Sequence, residues 1–414
     1  MLAEVVFVTR LLGLAAGEQV IALKADPEVR RIEIRRDETT IATMTDPPWR
    51  MKVALGEDLG PYELSAIGFD ANGKEAGRDA QLVNLARPMA ETGILLNREG
   101  DVLFARLQWT HIRGKRATKA QLTFDGKVVS RDVSSAPVRL GKADPKQIHV
   151  VSAEVWFEDS EHARKDLVFG GIYTEEMPSE LTAIAVRVQD ERKADGCIHV
   201  EGREVTPTAI EQGTALVSFV VNGGAPISLH EISPARAKLY ELQNADIVVL
   251  SPVVSEGPGA QSFATEAVPK SRGTRGAVIL DRRVKGAKRF ADAVAAGALR
   301  SLRMHRRRVV VHIIGASAAP DESEHSPGAV RRYLERVGVP LRVWSLTGPR
   351  PDLADTWGAV QDVSTSPLLV KATEELRQEL AAQRIAWIPA GPLEAIRAEA
   401  SADCGVMPIA GGAR

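Results

Sequence analysis

Arg308-Val-Val-Val-His-Ile-Ile-Gly315 is an apolar run that stops at a glycine. Ser326-Pro327 follows, and Val330-Arg-Arg-Tyr-Leu-Glu-Arg-Val-Gly338 then leads into Val339-Pro-Leu-Arg-Val-Trp-Ser-Leu346. A short apolar run without alternation is the mark of a strand covered on both faces. Val330, Leu334 and Val337 recur at helical spacing, with Ser326 placed to cap the helix, Pro327 at its first position and Gly338 to stop it. Strand, loop, helix and strand in this order make a βαβ unit. Further runs occur at Leu216–Val221, Ile247–Leu250 and Ile385–Ile388. Helices are expected at Lys288–Leu302, with Phe290, Val294, Ala298 and Leu302 on one stripe, and at Pro367–Ala382 behind Ser366. Residues 179–414 therefore read as a doubly wound α/β domain with a mostly parallel sheet, preceded by an accessory hairpin within 183–211.

The chain before residue 179 has a different texture. Period-two alternation and frequent turn residues predict an Ig-like β-sandwich over 1–88. Its strands are expected at Glu4–Val8, Gln19–Lys24, Arg30–Arg35, Thr39–Met44, Arg50–Leu55, Tyr62–Phe69 and Gln81–Leu85. Asp70-Ala-Asn72-Gly73 reads as a hairpin turn, since Asn and Gly tolerate positive φ. A second sandwich is expected over 89–178, with strands at Val102–Trp109, Ala120–Phe124, Lys127–Ser130, Val138–Leu140, His149–Phe157 and Asp166–Tyr173, and a turn at Asp125-Gly126-Lys127. The fold class is thus multidomain, two all-β Ig-like sandwiches followed by an α/β domain.

The length of 414 residues suits about three domains. Lys and Arg total 53 against 54 Asp and Glu, so no global field draws the chain to nucleic acid or anionic lipid. No run approaches the ~18 apolar residues of a membrane span. Glu4 and Arg10 interrupt the N-terminal apolar stretch, which reads as a strand rather than a signal peptide. Cys197 and Cys404 are too few for a zinc site or a disulfide scaffold. They read first as separate thiols, with one long-range disulfide as the alternative.

The strand, loop, helix and strand of 308–346, together with Trp357–Ser364 and Gln383–Pro389, resemble the von Willebrand factor A domains, and more closely the bacterial, acidobacterial-type von Willebrand A-related proteins with Ig-like segments in front. The resemblance covers about residues 180–400. It implies a Mg²⁺ site made of an Asp-x-Ser-x-Ser loop after the first strand, a Thr and an Asp, with oxygen ligands around a hard cation. Here the positions after Leu216–Val221 are Asn222, Gly224 and Pro226, and Gly315 stands in place of the later Asp. Ile247–Leu250 continues into Ser251 and Ser255 without a carboxylate. The expectation is a degenerate domain holding neither metal nor cofactor. The resemblance also implies an extracytoplasmic setting.

In an open α/β sheet, ligands meet the crevice beyond the carboxyl ends of the strands. The loop residues there, Asn222, Gly224, Ser251, Ser255, Ser317, Asp321 and Glu324, are the candidate partner-binding positions. Asp321-Glu-Ser-Glu-His325 reads as a solvated loop capping the helix that begins at Pro327, or alternatively as a cation site. Lys270–Arg308 holds thirteen basic residues, among them Arg282, Arg283, Lys288, Arg306, Arg307 and Arg308. With Phe290 its one aromatic residue, it offers no stacking platform for nucleic acid, and it reads as an exposed face or a docking surface for an acidic partner. His230-Glu231 lacks the second His of a zincin, Gly257-Pro-Gly259 lacks the third glycine of a dinucleotide loop, and Gly315-Ala-Ser317-Ala-Ala319 lacks the second glycine of a nucleophile elbow. The resulting expectation is a non-enzymatic binding or scaffold protein, or accessory subunit, that engages other proteins. Two alternatives stay open, a metal-dependent adhesion module using Asp321 and Glu324, and an enzyme of another class.

Overall fold

A computed structural model describes residues 5–11, 13–85, 90–99, 102–111, 115–158, 162–171, 173–178, 181–189, 197–223, 239–255, 262–279, 286–316, 318–401 and 404–409. The chain divides into two compact units. One comprises 1–86, 182–388 and 392–414, and the other 87–181 with 389–391. The sequence suggests three consecutive domains, whereas the structure groups the first sandwich with the α/β lobe.

The first sandwich places strands 5–7, 18–25 and 50–54 in one sheet and strands 31–36, 39–44, 62–69 and 75–83 in the other. Ile21, Leu23, Ile32, Ile34, Val53 and Leu64 meet between them. Thr39–Met44 and Tyr62–Phe69 match the expected bounds, whereas the last strand starts at Glu75 rather than Gln81. The Asp70 turn forms as its residues require. Asp70 Oδ1 accepts the Asn72 and Lys74 N–H groups, and Gly73 has φ +77°.

In the second unit a three-stranded sheet (90–99, 102–111, 138–142) accompanies a five-stranded one (117–124, 127–130, 149–157, 162–170, 173–178). Alternation in 149–157 is strict, with Val151, Ala153, Val155 and Phe157 all in the core. Strand 90–99 is missing from the sequence reading, and Asp166–Tyr173 resolves into two strands that turn at Gly170 and Gly171.

The α/β lobe has six strands among the described residues: β1 (Ala215–Asn222), β2 (Ala245–Ser255), β3 (Ser262–Val268), β4 (Arg307–Ile314), β5 (Leu341–Ser345) and β6 (Val360–Asp362). Their order is 3-2-1-4-5-6, parallel throughout except for the antiparallel edge β3. Helices α1 (Gly273–Ile279), α2 (Phe290–Arg303), α3 (Pro327–Arg336), α4 (Ala354–Trp357) and α5 (Ser366–Ala382) cover it. Every residue of β4 is buried. Val309, Val311 and Ile313 pack with α1 and α5 residues, while Val310 and Ile314 pack with those of α2 and α3. This two-sided burial is why the strand reads as a continuous apolar run. Ser326 caps α3 by accepting the Ala329 N–H, and Gly338 takes φ +66° behind the helix. Ser366 is the first residue of α5 and Thr365 its N-cap, one position earlier than expected.

Two sequence expectations are overturned here. Ile385–Ile388 is not a strand of the parallel sheet. It lies in strand 383–389, which pairs antiparallel with 209–211 in a four-stranded sheet that also contains 181–188 and 406–408. Within 183–211 the hairpin 198–205 does form, and it adds strand 399–400. The α/β lobe is therefore an insertion into a β assembly made from its two flanking segments. The cysteines are not separate thiols. Cys197 and Cys404 form a disulfide with Cα atoms 5.5 Å apart, and it joins the two halves of that assembly.

The first sandwich docks onto the α2/α3 side of the lobe. Leu59, 2% exposed, enters the core shared by Phe290, Val330 and Leu334, and Leu14 and Ala16 pack beside it. Asp58 pairs with Arg336 at 2.9 Å. A Cβ at Gly60 would lie 1.5 Å from Arg336 Nη1, so a side chain there would displace the guanidinium from its pair with Asp58.

Candidate partner-binding crest

The carboxyl ends of β1, β4, β5 and β6 form one crest, and the described loop residues 318–325 run from the end of β1 to the start of α2. Asn222, the last residue of β1, holds this loop from below. Its Nδ2 donates to the Ala319 carbonyl at 3.1 Å, and its Oδ1 accepts the Ala319 N–H at 2.8 Å. Only an amide can make both bonds, since a carboxylate has no donor. At the position where the resemblance places a metal-binding Asp, the chain thus builds a backbone clasp. Gly315 continues it by donating its N–H to the Asn222 carbonyl. Asn222→Asp should cost about 1–3 kcal/mol, the cost of a carbonyl losing its donor beside a new charge. Urea unfolding checks this, and stabilisation of that variant by millimolar Mg²⁺ would show a latent cation site instead.

The acidic loop is tied to α2, not to α3. Asp321 accepts the Phe290 and Ala291 N–H groups at 2.9 and 3.2 Å, and also the Ser323 hydroxyl. Arg289, the N-cap of α2, makes no capping bond of its own, so Asp321 satisfies the helix from a distance. In return Asp292 of α2 accepts from Arg289 Nε at 2.6 Å, His325 Nδ1 at 2.7 Å and the N–H groups of Glu324 and His325. Ser323 Oγ accepts the Asp292 N–H, and Glu324 pairs with Arg289 at 3.0 Å. The carboxylates proposed as cation ligands are thus engaged in fastening loop to helix. Among the described residues no three His, Cys, Asp or Glu side chains converge as a metal site.

Burial alone would raise the Asp292 carboxyl, but the bonds from His325, Glu324 and Arg289 outweigh it and hold the group at about 2. The side chain is only 5% exposed. A depressed carboxyl stabilises the fold above its unfolded value and loses that contribution as pH falls through the folded value. About 2 kcal/mol should therefore disappear between roughly pH 4 and pH 2, and Asp292→Asn should flatten this part of the acid-unfolding curve.

Below the crest, His312 is buried between Phe290 and Trp357, ring centroids 6.1 and 4.6 Å away. Burial pushes it down to about 4, so the neutral ring donates Nδ1–H to the Val220 carbonyl at 3.1 Å. Ser251 is buried, and its hydroxyl accepts the Val253 N–H at 3.3 Å. Gly224, Pro226, Ser317, Arg282 and Arg283 lie outside the described residues, as does the side chain of Ser255.

The basic docking surface is corrected at its centre. Arg307 and Arg308 are 3% and 2% exposed. They leave the start of β4 on opposite faces of the sheet, and each reaches a helix C-terminus. Arg307 donates to Leu380 O of α5 at 2.6 Å and twice to Gly213 O, and Arg308 Nε donates to Gly338 O just past α3 at 3.3 Å. A cation at a helix C-terminus meets exposed carbonyls and the negative end of the dipole. Burial lowers Arg308 to about 10, which leaves it charged at neutral pH. Arg306 pairs with Asp246 at 2.7 Å, and Lys288 is half-buried.

Two concavities border these elements. One of about 400 Å³ lies in the seam with the first sandwich, between Gly17 and Glu57 on one side and His325, Ser326 and Arg332 on the other. The other, about 580 Å³, runs beside the edge strand β6 with Leu334, Leu341, Trp357, Arg187, Arg331 and Arg342 among its lining. Sequence reading placed Ser323 and His325 in the acidic loop but missed their partners Arg289 and Asp292 on α2. The available signal was an acidic residue in the first turn of α2, where a negative charge is favoured.

No family model matches the chain, and no curated protein does. Among solved structures, the chain is similar to the fibronectin(III)-like modules of Clostridium thermocellum CbhA, at 16% identity and a TM-score of 0.17, over 40% of this chain and 93% of that one. It is also similar to the central fibronectin-III array of RIM-binding protein, at 11% identity and a TM-score of 0.26, over 47% of this chain and 82% of that one. A Bacteroides ovatus glucan-locus protein, SGBP-B, solved with a mixed-linkage heptasaccharide, gives 13% identity and a TM-score of 0.15, over 50% and 58%. At these scores the likenesses carry no argument, and the β-sandwich content stands on the paired sheets and their cores.

Proposed function

We propose that the protein is a non-enzymatic binding or scaffold component, an accessory subunit that presents a metal-free von Willebrand A-like lobe on Ig-like modules to other proteins. The observation that carries this reading is the crest. Asn222, Asp321 and Asp292 spend their polar atoms on backbone groups and on the neighbouring Ser323, Arg289 and His325 side chains. The 3-2-1-4-5-6 strand order supports a doubly wound α/β lobe, and the antiparallel edge β3 sets it apart from an all-parallel dinucleotide-binding sheet. The Cys197–Cys404 bond supports an extracytoplasmic, oxidising setting.

Affinity purification of the tagged protein from its own cells, with cross-linking mass spectrometry, tests the proposal. A stoichiometric protein partner cross-linked to 315–325 or to the groove beside β6 is expected. A monomer that captures nothing, yet gains melting temperature with Mg²⁺ or Mn²⁺, would favour the metal-dependent adhesion reading instead.

A further inference from the structure

We propose that His149 is a proton-operated clasp at one end of the second sandwich, closed when the imidazole carries both ring protons and loosened when one is lost. Nδ1 lies 2.8 Å from Asp125 Oδ2, and Nε2 lies 3.0 Å from the Asp144 carbonyl. Both partners are acceptors. A neutral imidazole donates once, so one of the two contacts would then set a lone pair against an oxygen. The imidazolium satisfies both. Its walls are Phe124 and Phe169, ring centroids 5.3 and 5.4 Å away, whose π-faces tolerate a cation.

The clasp joins three chain segments. Asp125 and Gly126 form the hairpin turn with φ of +47° and +76°, and Asp125 Oδ1 also accepts the Val150 N–H at 2.9 Å. Asp144 belongs to the 144–147 turn, closed by the Gln147 N–H on its carbonyl. Gly171 donates its N–H to the Pro145 carbonyl, and a Cβ at Gly170 would lie 2.3 Å from the Gln147 carbonyl oxygen. Of the charged groups around the ring, the Asp125 carboxylate bonds it. The Asp144 carboxylate accepts the Lys146 N–H instead, and Lys127 and Lys146 are exposed on their turns. Strand 162–170 contributes Phe169, while its Asp166 pairs with Arg164.

The sign follows from the geometry. The protonated form holds both turns, so the contribution is present while both ring nitrogens carry protons and is lost when rising pH removes one of them. The test uses the full-length protein labelled with ¹⁵N-histidine, with His149→Gln to assign its signals. Long-range ¹H–¹⁵N correlation spectra should show both His149 nitrogens protonated at pH 6. Exchange protection over 124–150, corrected for intrinsic rates, should fall roughly tenfold by pH 9, the equivalent of one hydrogen bond to a charged group. Asp125→Asn should abolish this fall. The amide keeps Oδ1 for the Val150 N–H, and its Nδ2 can donate to a neutral Nδ1. A neutral His149 at pH 6, or the same loss of protection in Asp125→Asn, would overturn the proposal. If that variant fails to fold, the wild-type spectra decide alone.

Discussion

Replacing Arg307 and Arg308 together with glutamate is expected to abolish folding of the α/β lobe, not to weaken a surface contact. Each guanidinium is buried and meets helix-terminal or loop carbonyls. Glutamate at either site would bring a negative charge to the negative end of α5 or α3 and leave those carbonyls without donors. An uncompensated buried charge costs about 3–5 kcal/mol, and two such sites approach the whole stability of a typical domain, about 5–15 kcal/mol. Arg306→Glu is the control. Its side chain is 32% exposed and its pair with Asp246 is near the surface, so the expected change is within about 1 kcal/mol, screened by salt. Soluble yield and urea unfolding of the two variants decide the matter. A folded double variant with the wild-type midpoint would show that both arginines can swing out to solvent.

The second large effect is loss of the Cys197–Cys404 bond. The cysteines are 207 positions apart, so the cross-link closes a long loop in the unfolded chain. The chain-entropy account gives about 5 kcal/mol for such a loop. Replacing both by alanine should lower the urea midpoint and open the small sheets first, since strands 198–200 and 399–400 pair by only two registered residues. Hydrogen exchange over 198–205 and 399–408 would report this local loosening before global unfolding. Unchanged protection there would mean that packing alone holds the two segments together.

Much of the fold was legible because burial leaves a direct trace in the residues. The continuous run Val309–Ile314 and the stripe Val330, Leu334, Val337 each answer to one physical demand, a strand covered on both faces and a helix covered on one. Where strand ends were missed, as at Glu75 and in 90–99, the strands are edges with mixed exposure, and alternation fades there. Ile385–Ile388 looks like a parallel core strand, but composition does not state which sheet an apolar run joins. The disulfide was similarly hidden, because spacing in sequence says nothing about proximity in space. At the crest, Asn222 was located by sequence but its work was not, since the reciprocal bonds to Ala319 arise from a loop 97 residues away. The basic triplet misled for a related reason. Charge alone reads as surface, and helix C-termini that receive a buried cation become visible only once the helices are placed.

The β assembly that brackets the α/β lobe also decides how the molecule carries tension. A pull transmitted along the chain from before Cys197 to beyond Cys404 meets the antiparallel pair of 186–188 with 406–408 and, behind it, the sulfur–sulfur bond. The intervening residues stay slack while that bond holds, and the lobe with its crest keeps its shape under load. In a reducing medium the same pull would be taken by the antiparallel pairs of the small sheets, whose hydrogen bonds would break in succession.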